Sequence, residues 1–303
     1  MAPMNIDRTL KRFRSGAFTA DYPVLIFSAL ILLIAVLFYN RLHQPLFFIV
    51  ADCIALITLI TVIMREKHGR NTFNYWLHSW LPVILLSLFY VQSTVFDNLI
   101  FRKTFDPLLQ NWEKSLFGNM DYFNNIPGNH LLIDELFHFF YFSYYLILFV
   151  PGLILYSKRP QTFHKMVYVL TLMMLAHFAF FIIFPGDGPL ANHDKIFTDG
   201  ILFIPLMKFI YNVGGEQGGG AFPSTHVAAA VLISMYTISE FRQRALFILI
   251  FTVGIIIATV YCSYHYLIDA LAGIVTGILF YFSGKYLTAK GFLPDISESS
   301  PLR

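Results

Sequence analysis

Three side chains in this sequence, His226, His265 and Asp269, have the types and spacing to do chemistry together. His226 closes the stretch GGGAFPSTH, residues 218–226, and an apolar, helix-like segment follows at once. The first amides of a helix have no internal partner and the helix dipole favours negative charge there, so a glycine-rich loop that empties into a helix start suits an anion. Pro223 stands near that start, where its missing N–H costs least, and Ser224 or Thr225 can cap. Further along, residues 261–269 read YCSYHYLID. His265 and Asp269 are four apart, so a helix puts them on one face. A carboxylate there accepts the imidazole N–H, fixes the tautomer and raises the basicity of the other nitrogen, which makes a nucleophilic or general-base histidine. Two histidines with separate tasks suit phosphoryl transfer through a covalent intermediate: one attacks phosphorus while the other protonates the departing oxygen. Taken alone, His226 reads equally well as a polar residue at a helix start. A metal site built from both histidines and Asp269 is a weaker alternative, because no third His or Cys follows at ligand spacing. No metal and no cofactor is expected.

The elements that must position these groups are membrane spans. Of 303 residues, 57% are hydrophobic and 13% charged, with mean hydropathy +0.63, whereas a soluble domain carries about 25% charged residues. The net charge of +3 is too small to argue for nucleic acid. Cys53 and Cys262 both lie in apolar runs and indicate neither a disulfide framework nor a thiolate metal site. The expected fold is an all-α integral membrane protein of about eight transmembrane helices, over residues 22–39, 46–64, 81–96, 136–156, 166–184, 225–241, 245–261 and 264–287. The first is read as an uncleaved span, because no small-residue cleavage site follows it. Trp76 and Trp80 suit an interface ahead of the third. In 98–135, Leu108, Leu109, Trp112, Leu116 and Phe117 recur at three- and four-residue steps among charges, which predicts an amphipathic helix on the membrane surface. His130 and His138 border it and read as interfacial. The apolar stretch 202–211 is too short to cross and reads as re-entrant or interfacial.

With both termini inside, the inner segments hold 15 of the 21 Lys and Arg and the outer segments 6. The positive-inside rule selects that orientation, which places the glycine loop, His226 and the junction holding His265 on the outer face: periplasmic, extracellular or luminal. The chain divides into a cytoplasmic basic arm (1–20), N-terminal transmembrane helices (21–97), the outer amphipathic segment (98–135), a catalytic bundle (136–290) and a cytoplasmic tail (291–303).

Pro223-Ser224-Thr225-His226, followed 39 residues later by His265-x-x-x-Asp269, resembles the type-2 phosphatidic acid phosphatase superfamily, whose second motif is P-S-G-H and whose third is S-R-x5-H-x3-D. The resemblance runs from Phe184 onward and implies a six-helix catalytic bundle, here with added N-terminal helices. It implies that His265 is the nucleophile that becomes phosphohistidine, that Asp269 orients it, and that His226 is the acid for the leaving group. Gly220, Ser224, Thr225 and the amides that follow Gly220 would hold phosphate oxygens. Two departures stand out. Thr259 occupies the position of the third-motif arginine, and the first motif, K-x6-R-P, is absent; residues 184–189, FPGDGP, stand in its place. Lys158-Arg159-Pro160 falls on the other side of the membrane. Both departures are similar to the branch containing inositol phosphorylceramide synthases, and Thr259, Tyr261, His265, Tyr266 and Asp269 fit that version. The cations that would neutralise the phosphate are then Lys195, Lys208, Arg102, Lys103 or His193. Asp187, between two glycines, reads as a turn former. The resemblance implies metal-independent transfer of a phospho-headgroup from a phospholipid or lipid phosphate to a lipid alcohol. The alternatives are a lipid phosphate phosphatase, and a lipid-binding or lipid-flipping protein without chemistry.

Overall fold

A computed structural model of the chain describes residues 16–65, 72–118, 127–214 and 218–291. Most of the basic arm, with Arg8, Lys11, Arg12 and Arg14, lies outside the described residues. So do the polar loop 66–71, the break at Asn124 and Asn125, and the tail from residue 292. Every regular element among the described residues is a helix. In order these are α1 (Asp21–Leu37), α2 (Pro45–Arg65), α3 (Thr72–Phe96), α4 (Asp106–Phe117), α5 (Leu131–Lys158), α6 (Pro160–Ile183), α7 (Leu190–Ile196), α8 (Phe203–Gly214), α9 (Thr225–Glu240), α10 (Ala245–Tyr261) and α11 (Leu267–Ala289).

Six helical stretches are long and apolar enough to cross a membrane: α2, α3, α5, α6, α11, and α10 together with the 3-10 turn Arg242–Arg244 that leads into it. The protein is a multi-pass membrane protein. Two of the eight expected spans are shorter: α1 has 17 residues and α9 has 16. At about 1.5 Å per residue, 16 residues reach roughly 24 Å, less than a hydrocarbon core of about 30 Å. The shortness of α9 is explained by its place. It packs against α5, α6, α10 and α11, and Val227 to Ser234 are all buried, so protein rather than lipid surrounds it. Large apolar side chains such as Ile26, Leu33, Leu246, Phe247 and Val275 are instead exposed on the outside of the bundle.

Several boundaries differ from expectation, among them the start of α6, at Pro160 rather than 166. α3 begins at Thr72 and runs through Pro82 without stopping. Trp76 stays partly exposed, but Trp80 is 4% exposed and packs on Phe163 at 5.0 Å between ring centroids. Gly152 makes room for that ring, since a Cβ there would meet it at 2.8 Å; Trp80 is a packing residue, not an interface residue. α5 begins at Leu131, five residues early, which removes 131–135 from the amphipathic segment. Within that segment the helix is α4, with Leu109 buried and Leu108, Trp112, Leu116 and Phe117 exposed.

α9 and α11, which carry His226 and Asp269, pack backbone against backbone. α11 turns Gly273 and Gly277 toward α9, where a Cβ would sit 2.6 Å from the Ser224 carbonyl oxygen and 2.7 Å from that of Ala228. α9 answers with Val227, Ala228 and Val231, so the two backbones touch, the small-residue packing that apolar surroundings favour. Gly277→Val is expected to overpack this seam at a cost of about 1–3 kcal/mol, and to lower the melting temperature in detergent and the activity together.

Candidate active site

Ser224 caps α9: its backbone is extended and its Oγ accepts from the Val227 N–H at 3.4 Å. Pro223 precedes the cap instead of opening the helix. The Ser224 N–H donates to the Asp269 carbonyl at 3.1 Å, which ties the start of α9 to the first turn of α11. On the other side, the turn between α10 and α11 folds back on Thr259. The N–H groups of Tyr264 and His265 both donate to the Thr259 carbonyl, at 3.1 and 3.0 Å, and Ser263 takes a left-handed conformation, φ 58°. The Thr259 hydroxyl donates to the Ile256 carbonyl, 2.8 Å away. Thr259 therefore shapes the turn and adds nothing cationic to it.

These two turns bring His226 and His265 together, with ring centroids 6.0 Å apart. The His265 Nδ1 faces the buried Asp269 Oδ2 at 3.5 Å, and that same oxygen accepts the Tyr266 N–H at 2.9 Å. Nδ1 and Asp269 are slightly beyond hydrogen-bond reach, as apo catalytic pairs often are. Burial pulls the imidazolium form of His265 down to about 4, and the Ala221 backbone beside it works the other way. The ring is thus neutral at physiological pH.

Both histidines line a small cavity of about 30 Å³ with Asp187, Gly218, Gly220 and Ala221. Tyr90, Leu190, Tyr211 and Tyr264 complete its wall. A larger cavity, about 370 Å³, shares Leu190, Tyr211 and Tyr264 with it and adds His193, Asp194, Lys208 and Asn212.

The glycine loop is tied by carboxylates. Gly218 and Gly219 have φ of 98° and 84°, and a Cβ on Gly219 would collide with the Asp97 carboxylate, so glycine is required on both counts. The Gly219 N–H donates to Asp187 at 2.9 Å, and Ala221 N–H donates to the Gly186 carbonyl at 2.9 Å. Asp187 is thus more than a turn former; burial, with Asp106 nearby, raises its pKa. α4 secures the outside. Asp106 accepts from the N–H groups of Asp187 and Gly188, Glu113 accepts from the Leu267 N–H, and Gln110 donates to the Tyr266 hydroxyl. Burial raises the Glu113 pKa, the Leu267 N–H opposes this and Asp269 adds to it.

Of the residues singled out in the sequence, His226, His265 and Gly220 line the small cavity, Asp269 backs it, and Ser224 and Thr225 form the helix start above it. Lys208 and His193 line the larger one. Lys195, Arg102 and Lys103 are exposed and line neither. Tyr261 points elsewhere: its hydroxyl donates to Asp134 at 2.8 Å and its ring stacks on Phe137. His138 is fully buried rather than interfacial. Sequence reading missed Tyr90, Tyr211 and Tyr264 in the cavity walls. It also missed Tyr141, which stacks on Tyr264 at 4.0 Å and reaches His226 Nε2 at 3.5 Å. The one available signal was the run of tyrosines in α5 and beside His265. Among the described residues, no group of three or more His, Cys, Asp or Glu side chains is placed to hold a metal ion.

No curated protein and no solved structure matches the chain. A family model does: that of the PAP2 superfamily matches residues 108–282, more than half of the chain, from within α4 to within α11. Members of that superfamily are phosphatases and phosphotransferases that act on phosphorylated lipids in membranes. With both cavity histidines and Asp269 inside the matched span, the chain belongs to the PAP2 superfamily.

Proposed function

We propose that the protein transfers a phosphoryl or phospho-headgroup group of a lipid through a phosphohistidine on His265, with a lipid alcohol as acceptor, in the manner of inositol phosphorylceramide synthases. The observation that carries this reading is the facing pair of histidines in one cavity, 6.0 Å between ring centroids, with a carboxylate behind only one of them. The carboxylate distinguishes their tasks. A shift of a few tenths of an ångström on substrate binding lets Asp269 accept the Nδ1 hydrogen of His265, leaving the Nε2 lone pair to attack phosphorus. As the N–P bond forms, the bond from phosphorus to the leaving oxygen breaks, and protonated His226 gives that oxygen its proton. His226 then takes the proton of the acceptor hydroxyl, whose oxygen attacks phosphorus and breaks the N–P bond. The larger neighbouring cavity gives an acceptor or headgroup room, which favours an alcohol over water. The proposed orientation is that of the basic-residue count, with this end of the bundle on the outer face.

The deciding experiment uses purified protein and a headgroup-labelled phospholipid. Label is expected to move to an added lipid alcohol, with little free phospho-headgroup; release of the labelled phospho-headgroup at the same rate without acceptor, or of inorganic phosphate from a lipid phosphomonoester, supports the phosphatase instead. His265→Ala is expected to abolish turnover while a lipid-flipping activity, measured in liposomes, would survive it.

Two further outcomes follow from the assigned tasks. His226→Gln is expected to cost about 10²–10⁴-fold with an alkyl leaving group, and far less with an aryl phosphate whose leaving oxygen needs no proton. A uniform loss across leaving groups refutes the acid role. The pH profile of kcat/KM is expected to be bell-shaped. His265 must be neutral to attack and His226 protonated to donate, so the rate falls on both sides of an optimum. A rate still climbing through about pH 9 is incompatible with this assignment.

A further inference from the structure

Behind Tyr264 lies a second cluster of titratable side chains. His138 on α5 is fully buried and His193 on α7 nearly so. Their Nε2 atoms face each other at 3.0 Å, and the Tyr264 hydroxyl lies 3.0 Å from the Nε2 of His193. The other two ring nitrogens are already committed. His138 Nδ1 lies 2.6 Å from the Asp134 carbonyl oxygen, and His193 Nδ1 lies 3.2 Å from the Asp194 carboxylate. A carbonyl and a carboxylate only accept, so each Nδ1 carries a hydrogen. In a neutral pair both Nε2 atoms then hold lone pairs, and lone pairs repel at this distance. One added proton converts the contact into an N–H···N bond and the pair into a cation.

The surroundings are mixed in sign. Asp134 and Glu135 on α5 and Asp194 on α7 favour a positive charge here, and Lys208 on α8 opposes it. Cys262, 3.6 Å from His138 Nδ1, and Tyr264 face the pair from the α10–α11 turn. Asp194 is the resident anion of the larger cavity. Its carboxylate lies 3.2 Å from His193 Nδ1 and 3.5 Å from Lys208 Nζ, yet its side chain is 78% exposed.

We infer that the larger cavity is a second oxyanion subsite whose cation is the His138–His193 pair with Lys208, and that the pair gains one proton when a substrate oxyanion takes the place of the Asp194 carboxylate. The proton comes from solvent and settles between the two Nε2 atoms; no bond to the anion is made or broken. The inference rests on reading the adjoining small cavity as the phosphoryl-transfer site. Burial holds His193 at about 4 in the empty cavity, with the Asp194 hydrogen bond acting the other way. Near neutral pH the extra proton therefore arrives with the anion. The subsite supplies, one tyrosine ring away from His265, positive charge that Thr259 does not.

Sulfate is the probe, because its charge is constant over the range of interest and it undergoes no transfer. Its protection of the detergent-solubilised full chain against heat is measured as a function of pH. Wild-type affinity is expected to rise about tenfold for each pH unit lowered between roughly pH 5 and 7. Lys208→Met and His193→Gln are expected to weaken sulfate, and His193→Gln also to remove about one proton from the pH dependence. His265→Ala, which stops the chemistry, is expected to keep both affinity and pH dependence. A wild-type pH dependence in His193→Gln, or loss of sulfate binding in His265→Ala, overturns the subsite. So does one equivalent of transition metal in the purified protein that is lost in His193→Gln, since the cation between the rings is then a metal. If His193→Gln does not fold, calorimetric titration of His226→Gln with sulfate in two buffers of different ionisation heat counts the protons taken up; a count of zero overturns the inference. Failure of headgroup transfer with the sulfate response intact rejects the proposed function and leaves the subsite standing.

Discussion

The structure depends on the contact between two backbones. At Gly273 and Gly277, α11 comes so close to α9 that the carbonyl oxygens of Ser224 and Ala228 occupy the space a methyl group would need. Through this seam, and through the Ser224 N–H on the Asp269 carbonyl, His226 and Asp269 belong to one rigid unit although 43 residues separate them in the chain. Side-chain packing would leave rotamer freedom between them; direct backbone contact does not. The intervening α10 has only to return the chain to the same end of the bundle, and its apolar exterior is consistent with that modest demand.

Around this unit the charges run against a simple anion cradle. Asp187 and Asp106 occupy loop amides that a glycine-rich sequence suggests for phosphate, and Glu113 holds the first amide of α11. These carboxylates give the loop its shape, at the cost of a locally negative surface. Positive charge is gathered on the far side of Tyr264, where Lys208 donates to the Phe197 carbonyl at 2.7 Å. The two sides thus differ: among the described residues Asp106 and Glu113 stand alone on the α4 side, whereas on the α7–α8 side Asp194 is paired with His193 and Lys208.

Much of this was legible in the sequence, for definite reasons. Long apolar runs report helices whatever their neighbours, so α10 begins and ends where its run does, and the spacing of His226, His265 and Asp269 reports one end of one bundle. What failed to show were contacts between elements far apart in the chain. Nothing local tells that Tyr141 reaches His226, that Asp106 holds the amides at 187 and 188, or that His138 faces His193. Exposure of cations was equally hidden: Lys195 and Lys208 have the same local character, but one half-turn of α7 and the placement of α8 put only Lys208 on a cavity wall. Trp80 was misread because a tryptophan at the head of an apolar run looks interfacial until Gly152 is seen opposite its ring.

α4 has one face on the protein and another turned outward. Leu109 is buried against the loop at Gly186, while Leu108, Trp112 and Leu116 are exposed, and the same helix carries Asp106, Gln110 and Glu113 to the backbone and side chains around the two histidines. A helix with one apolar face outward is suited to a membrane interface, where its depth follows the lipid. Whatever changes that depth (thinner bilayers, bulkier headgroups, a detergent belt) pulls on the loop through three polar side chains. With that face in lipid, the geometry around the two histidines becomes partly a property of the surrounding membrane, and activity is best compared at a stated lipid composition.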